Sequence, residues 1–186
     1  EEVGAGNYDT YCGETRYSGG FTFYDVKGKL QNVSVKNMDI EDSVHFLRSE
    51  MDVDGLTIDR TQSDCIDSDF SVVRMTRSKV RHCGGDGFDA SGSLFRITDS
   101  LLADNEDKNI SVGENSRGSA SRTQLVGADM GVAVKDASFF QISDSLISDN
   151  RVGVANYSKK PYFVMPRYEV TDTVKFENNT QRYSDR

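Results

Sequence analysis

The amino-acid sequence predicts an all-β fold in which short parallel strands wind into a solenoid, a parallel β-helix, with one coil per 22 residues. The first observation is an equal spacing of five apolar residues: Ile66, Phe88, Ile110, Val132 and Val154. The second is that apolar residues around each of them recur two positions apart, which is strand periodicity rather than helical periodicity. A fixed period of this size marks a stacked repeat, because one unit cannot bury its apolar face alone. Roughly seven coils fit the chain.

Each coil is predicted to contain three strands. The first column of strands extends backwards from Ile66 to Val44, and then to Phe21 and Phe23 with one inserted residue. The second column is read through Leu56 and Ile58, Ser78 and Val80, Ser100 and Leu102, Gln124, and Leu146. The third is read through Val53, Met75, Ile97, Ala120 and Ile142. A β-sandwich is the alternative, but it gives no reason for a strict interval.

Turn residues and chain ends complete the predicted domain. The segments 100–105 and 145–150 are near duplicates in which a strand is followed by Asp and Asn, which form turns by bonding their own backbone. We expect residues 1–20 to form an N-terminal cap and residues 21–160 to form the coils. Residues 161–186 would supply the last strands and a C-terminal cap, because an open sheet end invites edge-to-edge association.

Composition restricts the classes of partner. The net charge of −8 and the isoelectric point near 4.8 argue against nucleic acid, because phosphate binding requires Lys and Arg. No apolar run approaches the roughly 18 residues of a membrane span. A hydrophobic fraction of 36% suits a thin core inside polar loops. The chain starts at Glu1 without a methionine, which is typical of a mature or excised fragment.

The chain has three cysteines, an odd number: Cys12, Cys65 and Cys83. The 22-residue interval places Cys83 beside Thr61, so Cys65 is offset from it by four residues. Four extended residues span about 13 Å, whereas a disulfide needs Cα atoms roughly 4.4 to 6.8 Å apart. We therefore expect free thiols, with Cys12 able to pair with either of the others.

Several strings resemble a known superfamily. They are residues 63–71 (SDCIDSDFS), 84–93 (GGDGFDASGS), 107–114 (DKNISVGE), 134–138 (VKDAS) and 157–160 (YSKK). These strings resemble single-stranded, right-handed parallel β-helices of the pectate-lyase-like superfamily. In this order they most resemble extracellular β-helix modules that accompany spore-coat-H-type proteins. The resemblance covers roughly residues 20 to 180 and implies the fold more strongly than an activity, because the superfamily includes lyases, hydrolases, epimerases, tailspikes and inert stalks.

Departures from the enzyme motifs of this superfamily are visible. Asp67 and Asp89 resemble the paired aspartates of polygalacturonase-like enzymes, but the His-Gly motif of those enzymes is missing. The Asp-Pro-His signature of alginate epimerases is also missing, because Ala90 follows Asp89.

Stacking the coils predicts two outward columns on the first strands, because successive strand residues point to opposite faces. The first column is Thr22, His45, Asp67, Asp89, Ser111, Ala133 and Ala155. The second is Tyr24, Leu47, Asp69, Ser91, Gly113, Lys135 and Tyr157. His45, Asp67, Asp69, Asp89 and Ser91 should therefore form one polar patch, flanked by Arg48, Glu114 and Asp136.

Asp67 stacked over Asp89 is the most informative feature of this patch. Two carboxylates on neighbouring strands repel, so one must hold a proton, recruit a cation or be neutralised by His45. A shared proton would serve acid/base chemistry, since carboxyl groups near 5 Å apart are typical of retaining glycosidases. A bridging cation would be Ca²⁺, the one cofactor that the sequence suggests, on Asp67, Asp69 and Asp89. The third interpretation is a solvated ladder without chemistry.

These residues lead to two functional hypotheses. The first is an extracellular or cell-surface module that binds and cleaves a polysaccharide, as a hydrolase or lyase, along the Asp-rich face. Asp67 and Asp89 would be the acid/base or nucleophile pair, His45 would tune Asp67, and Lys135 would act as a base or, with Arg48, hold an acidic group. Contacts to the sugar chain would come from Asp69, Ser91, Glu114, Tyr24 and Tyr157. A neutral or weakly acidic glycan is favoured, since the patch repels polyanions.

The second hypothesis is a non-catalytic structural or adhesive β-helix, a spacer that Ca²⁺ could stabilise. The absence of tryptophan favours this reading, because sugar clefts often use tryptophan as a platform. Asp64, Asp86 and Lys108 are interpreted as a ladder of satisfied turn residues, in which Lys108 neutralises Asp86. His82 is interpreted as structural, because too few ligands lie near it for a metal site.

Overall fold

The computed structural model describes residues 10–12, 15–17 and 19–185, with side chains from residue 19 onwards. Strands β1 (Thr10–Cys12) and β2 (Thr15–Tyr17) form an antiparallel pair of their own. Residues 1–9, 13, 14 and 18 of the predicted N-terminal cap lie outside the described residues, as does the side chain of Cys12. Gly19 and Gly20 belong to the first coil.

Three parallel sheets, with one strand of each in every coil, form the solenoid. The first sheet contains β3 (Gly19–Tyr24), β6 (Asp42–Leu47), β9 (Asp64–Asp69), β12 (Phe88–Ser91), β15 (Lys108–Gly113), β18 (Met130–Lys135), β21 (Val152–Tyr157) and β24 (Gln181–Asp185). The second contains β4 (Lys27–Gln31), β7 (Glu50–Asp54), β10 (Val72–Thr76), β13 (Leu94–Thr98), β16 (Arg117–Ser121), β19 (Phe139–Ser143) and β22 (Arg167–Val170). The third contains β5 (Ser34–Met38), β8 (Thr57–Thr61), β11 (Lys79–Cys83), β14 (Leu101–Ala103), β17 (Gln124–Val126), β20 (Leu146–Ser148) and β23 (Lys175–Glu177).

The strand register follows the 22-residue interval. Ile66 pairs with Phe88, Phe88 with Ile110, and the series continues through Val132 to Val154. The one inserted residue expected before Val44 is present, because Phe21 pairs with Val44. The predicted all-β parallel β-helix is confirmed. The described residues include no helix that is long and apolar enough to cross a membrane.

The core is a stack of inward side chains that the coils enclose. Val44, Ile66, Phe88 and Ile110 follow one another along the first sheet, and each is buried. The ring of Phe95, from the second sheet, lies 4.9 Å from the ring of Phe88. That ring occupies the space over Gly118, where an added Cβ would lie only 2.1 Å from a Phe95 ring carbon. Apolar burial of this kind drives the stacking of successive coils.

The corners between the first and second sheets are held by a ladder of buried serines. The Oγ atoms of Ser71, Ser93, Ser116 and Ser138 each accept the backbone N–H of the preceding serine, starting at Ser49, at 2.9 to 3.1 Å. In most coils the residue just before the serine has a left-handed backbone, as Phe70 does with φ 51°. The corners therefore turn sharply while their buried N–H groups stay satisfied.

Buried asparagines make equivalent hydrogen bonds at the corners between the third and first sheets. Asn105 Oδ1 accepts the N–H of Cys83, and Asn150 Oδ1 accepts the N–H of Ala128. Asn150 also donates to the carbonyl of Leu125 at 3.1 Å. These are the two asparagines that end the near-duplicate segments of the sequence, which the pattern predicted as Asx turns.

The predicted second column of strands corresponds to the third sheet. Beyond Leu102, its inward residues are shifted by one position from the prediction. Leu102 pairs with Leu125, which in turn pairs with Ile147, so Gln124 and Leu146 are not the inward residues. The shift arises earlier in the same coil, at the corner between the first and second sheets. Two successive residues there, Glu114 and Asn115, have left-handed backbones. That corner lengthens the coil by one residue, whereas the third predicted column already contained the insertion and is correct.

Cys65 and Cys83 form a disulfide with a Cα–Cα distance of 5.5 Å, so the expectation of free thiols was wrong for this pair. Cys83 does pair with Thr61, as the interval predicted. The chain, however, turns between Thr61 and Cys65, from the third sheet into the first, and does not extend. Four residues around a corner bring Cys65 back to its partner, and Thr61 Oγ1 lies 3.3 Å from Cys65 Sγ.

Removal of this disulfide should be measurable as a loss of stability. Replacing both cysteines, C65A with C83A, is expected to lower the free energy of unfolding by about 3 kcal/mol, because the bridge closes a loop of this size in the unfolded chain. Urea denaturation of both proteins measures the difference. Dithiothreitol should lower the midpoint of the wild type and leave that of the double variant unchanged. A loss below about 1 kcal/mol would contradict a stabilising cross-link.

The last coil is longer than the others because of an inserted loop, residues 158–166. Gln181 pairs with Val152, a separation of 29 residues instead of 22. Beyond the loop, Tyr168, Phe176 and Tyr183 take inward positions, one from each sheet. Tyr183 lies 6.0 Å from Tyr168 and 5.3 Å from Phe176 between ring centroids. These aromatic rings cover the end of the core.

Candidate functional site

The outward face of the first sheet brings the predicted polar residues together. His45 pairs with Asp67, Asp67 with Asp89, and Asp89 with Ser111. One step along the strands, Leu47 pairs with Asp69, Asp69 with Ser91, and Ser91 with Gly113. Neighbouring strands lie about 4.8 Å apart, so these side chains share one patch.

His45 is buried within this patch, with 6% of its surface exposed. Its Nε2 atom lies 3.2 Å from Asp69 Oδ2 and 3.7 Å from Asp67 Oδ2. Asp69 is therefore its hydrogen-bond partner, whereas the sequence suggested Asp67. Burial acts to lower the pKa of His45, but the bond to Asp69 and the charges of Asp67 and Asp42 outweigh it, and the pKa is raised. The imidazole is thus biased towards its charged form.

The surroundings of Asp67 favour the protonated form of its carboxyl group. Its pKa is raised to about 8, mainly by burial and then by the negative charges of Asp69 and Asp42. The charge of His45 opposes this shift without cancelling it. A neutral carboxylic acid beside a second aspartate is the arrangement that acid/base chemistry requires.

Three polar atoms of this face are buried without a hydrogen-bond partner among the residues described: His45 Nδ1, Asp89 Oδ1 and Ser111 Oγ. Asp89 and Ser111 occupy neighbouring coils. Buried polar atoms are normally paired, so these three atoms are exceptions on this face.

The turns that precede these strands contain the predicted ladder of charged residues. Asp64 Oδ1 accepts the N–H of Asp86 at 2.7 Å, and Asp86 Oδ1 accepts the N–H of Lys108 at 3.1 Å. Lys108 Nζ lies 3.2 Å from the same Asp86 oxygen. Burial raises the pKa of Asp64 to about 7. Gly85 allows this close stacking, because a Cβ there would lie 2.1 Å from Asp64 Oδ1.

Among the described residues, two groups of side chains have ligand atoms within 4.8 Å of one another: Asp42, His45 and Asp67, and Asp64, Asp86 and Asp89. Asp67 and Asp89, two of the three predicted calcium ligands, therefore fall into different groups. Ca²⁺ prefers oxygen ligands. The first group includes an imidazole, and in the second group the Lys108 ammonium already pairs with Asp86. Calcium binding by Asp67, Asp69 and Asp89 stays a prediction.

Lys135 is the buried cation at the C-terminal side of this face, with 7% of its surface exposed. Its side chain passes over Gly113, where an added Cβ would lie 3.4 Å from Lys135 Cε. Its positive charge acts on Asp86, which places the ammonium within electrostatic reach of the carboxylate cluster. A glycine at 113 thus leaves the room that this lysine occupies.

An apolar cluster covers the C-terminal part of the same outer face. Ala133, Val152 and Ala155 are buried there, with Met130 and Tyr157 packed against them. Tyr157 is therefore part of a packed cluster, which its sequence position did not reveal. Tyr24, at the other end of its column, has 42% of its surface exposed.

The predicted flanking residues separate into two kinds. Asp136 Oδ1 accepts the N–H groups of Lys159 and Lys160 at 2.7 and 2.8 Å, and Glu114 pairs with the Lys160 ammonium. These two carboxylates hold the inserted loop, residues 158–166, beside the face. Arg48 lies exposed at a corner with a left-handed backbone, φ 52°. His82, on the third sheet, bonds Asp59 at 2.8 Å, consistent with a structural role.

Sequence reasoning missed Asp42, which is buried and pairs in register with Asp64. Its charge contributes to the raised pKa values of both His45 and Asp67. The signal was available, because Asp42 precedes Asp64 by the same 22 residues that relate the other site residues.

Comparison with known proteins supports the fold. A family model described as a right-handed β-helix region matches residues 32–181. A search of curated proteins finds no match. Among solved structures, the periplasmic alginate epimerase AlgG aligns with a TM-score of 0.54 and 11% identity, over 86% of this chain and 50% of that one. Pectate lyase Pel9A aligns with a TM-score of 0.51 and 10% identity, over 79% of this chain and 52% of that one. The chain spans about half the length of each, and at these identities the likeness shows the fold alone.

Proposed function

The chain belongs to the family of right-handed β-helix regions, and from that premise we propose that it is a carbohydrate-active module that binds and cleaves a polysaccharide. The outer face of the first sheet would hold the sugar chain across successive coils. The two solved structures described above are named for action on such polymers, an alginate epimerase and a pectate lyase. The fold by itself does not carry this function, so the proposal depends on the site.

The observation that carries the proposal is the pair of Asp67 and Asp89 on neighbouring coils. Asp67, with its pKa near 8, would act as general acid and donate its proton to the glycosidic oxygen. Asp89 would supply the second carboxylate and attack the anomeric carbon, so the leaving sugar departs as an alcohol. Water then cleaves the glycosyl–Asp89 bond as Asp67 takes the proton back. A strand spacing of about 4.8 Å fits the short separation of retaining enzymes.

His45 and Lys135 would support this pair. The raised pKa of His45 keeps a positive charge beside Asp69 and Asp67, which positions both carboxyl groups. Lys135 would stabilise charge on the substrate or, in a lyase, remove a proton from the sugar ring. Arg48, Ser91 and Tyr24 lie on the same side and would contact neighbouring sugars.

We place this activity outside the cell or at its surface. The disulfide between Cys65 and Cys83 supports this, because such bonds persist in oxidising compartments. The resemblance to extracellular modules that accompany spore-coat-H-type proteins agrees with it. The protein would meet its glycan there.

The test is turnover of a glycan panel by the wild type and by two variants, D67N and D89N. The panel contains neutral β- and α-glucans, xylan and uronate polymers, and reducing ends are counted after incubation. We expect each variant to lose at least about a hundredfold in rate, because each removes one partner of the acid–carboxylate pair. D172N, an exposed aspartate in a turn of the last coil, is the matched control and should retain full activity.

Two results would defeat the catalytic proposal. One is the absence of turnover of any polymer by the wild type, which would favour the structural or adhesive spacer. The other is equal turnover by D67N, D89N and wild type. An ultraviolet absorbance from an unsaturated sugar product would instead identify a lyase, with Lys135 as the base to mutate next.

A further inference from the structure

A concave surface lies on the outer face of the second sheet, away from the aspartate patch. This surface, the arginine groove, has a volume of about 420 Å³. Its outward walls are Val72, Arg74, Leu94, Arg96, Arg117, Ser119, Phe139 and Gln141. The register explains the hollow, since Ser119, a short side chain, stands between Arg96 and Gln141 in one column. The volume is within the range of small-molecule sites.

Two arginines of the groove lack acidic partners. Across the described part of the chain, most arginines engage an aspartate or glutamate, as the pairs Arg77–Asp54, Arg81–Asp104, Arg122–Asp99 and Arg151–Asp129 do. No such pair involves the exposed Arg96 or Arg117 in the described residues. Arg96 also stacks directly on Arg74, which Glu50 and Asp52 already neutralise.

Uncompensated guanidinium groups are unexpected in a chain with a net charge of −8. Arg96 faces Arg74 on the neighbouring strand, whereas Arg117 faces Leu94. Like charges opposed on neighbouring strands are unfavourable, so an anion bound at Arg96 would relieve its repulsion from Arg74. In the described residues, no acidic side chain pairs with Arg96 or Arg117 at this hollow, whereas the neighbouring Arg74 pairs with Glu50 and Asp52. The charge pattern therefore complements a negatively charged ligand.

The remaining walls define what else the ligand carries. Leu94 has 54% of its surface exposed, and Phe139 and Val72 are partly exposed beside it. Apolar side chains pack against the C–H faces of sugar rings, whereas Ser119 and Gln141 offer hydrogen bonds to hydroxyl groups. Arginine binds carboxylates through two parallel hydrogen bonds. A sugar with a carboxylate satisfies all three features.

We propose that the arginine groove binds a uronate-containing oligosaccharide, separately from the aspartate face. Arg96 and Arg117 would each hold a carboxylate, and Leu94 and Phe139 would pack against the rings. The aspartate face repels such a ligand, so the two surfaces would divide the sugar chain by charge. This site goes beyond the proposed catalytic function and does not depend on Asp67 or Asp89.

Calorimetric titration of the protein with hexagalacturonate tests the site. We expect binding that weakens as NaCl rises from about 50 to about 300 mM, because the contacts are exposed and charged. The double variant R96S/R117S should bind at least about tenfold more weakly. The matched control R60S/R81S removes two positive charges from the third sheet and should stay within about twofold of the wild type.

Further variants keep the outcome clear. L94E places a carboxylate in the groove and should abolish binding while the melting temperature stays unchanged, because Leu94 is largely exposed. D67N/D89N should bind like the wild type, so failure of the catalytic proposal would not be mistaken for failure of this one. A neutral hexasaccharide, maltohexaose, should bind at least about tenfold more weakly than hexagalacturonate.

Several results would overturn the proposal. One is the absence of hexagalacturonate binding by the wild type. Another is an equal loss of affinity in R60S/R81S and R96S/R117S, which would indicate a general charge effect. Polyglutamate of matched length binding equally well would assign the groove to an acidic protein instead. Equal binding of maltohexaose would remove the role of the carboxylate.

Discussion

Raising the pH from about 5 to about 9 is expected to destabilise this protein by on the order of 2 to 4 kcal/mol. The main cause is Asp67, whose pKa rises from 3.8 in a model peptide to about 8 in the fold. A raised carboxyl pKa gives stability that is fully present below the unfolded value. That stability is lost as the pH rises through the folded value, when the buried acid must ionise.

Asp64 and His45 also make the fold less stable as the pH rises. The pKa of Asp64 is raised to about 7, and that of His45 is raised above 6.5, so both hold protons more tightly in the fold. Asp59 and Asp99 have lowered pKa values, but their contribution is lost only in acid, below about pH 4. The optimum of stability should therefore lie near pH 5.

Urea unfolding across this pH range measures the effect. The variant D64N/D67N should show a much flatter profile, because the amides imitate protonated acids and cannot ionise. D172N should keep the wild-type profile. Equal or higher stability of the wild type at pH 9 would contradict a buried, protonated Asp67. Restoration of stability at pH 9 by Ca²⁺, and its loss on chelation, would instead show that a cation takes the place of the proton.

Replacing Lys108 with methionine is expected to cost about 3 to 5 kcal/mol near neutral pH. Lys108 and Asp86 are both buried, with 8% and 6% of their surfaces exposed, and form an ion pair at 3.2 Å. Asp107 also pairs with the ammonium, and both acids raise the lysine pKa against the effect of burial. Without the lysine, Asp86 is left as an uncompensated buried acid.

A double-mutant cycle isolates this pair. D86N/K108M should recover most of the stability, because the amide does not need a counter-ion. K79M is the control, since Lys79 is exposed on the third sheet, and it should change stability by less than about 0.5 kcal/mol. K108M should lose less stability at acid pH, where Asp86 is protonated. A loss that is as large at pH 4 as at pH 7 would be inconsistent with an electrostatic role.

The strand columns could be predicted from the sequence because stacked coils repeat one spacing. Phe88 above Ile66, and Asp89 beside Asp67, follow from counting 22 residues. Counting failed where corners change length. Glu114 and Asn115 add one residue with a left-handed backbone, and this moved the second column from Gln124 to Leu125. Corner conformations depend on tertiary packing, which residue spacing does not contain.

The disulfide and the burial of the site were beyond the sequence for related reasons. Cys65 and Cys83 meet because the chain turns between two sheets, and a linear distance along an extended strand cannot represent a corner. A solvated outward face was one of three interpretations of the sequence, but Ser111 and Ala133 are fully buried there. The carboxyl environments that raise the pKa of Asp67 depend on that burial. The predicted residues were therefore brought together, whereas their protonation required the three-dimensional structure.

Because of the serine ladder, a whole coil can be removed or added without a change in the hydrogen bonds at the corners. Ser71, Ser93 and Ser116 make equivalent bonds to their neighbours, so removal of one complete turn would let Ser71 meet Ser116 without a change in corner chemistry. A partial deletion would instead disturb the bonds of the coil that it shortens. Evolution of such a chain can therefore proceed by gain and loss of entire turns, which lengthens or shortens the outer face of the first sheet in steps of one strand spacing, about 4.8 Å.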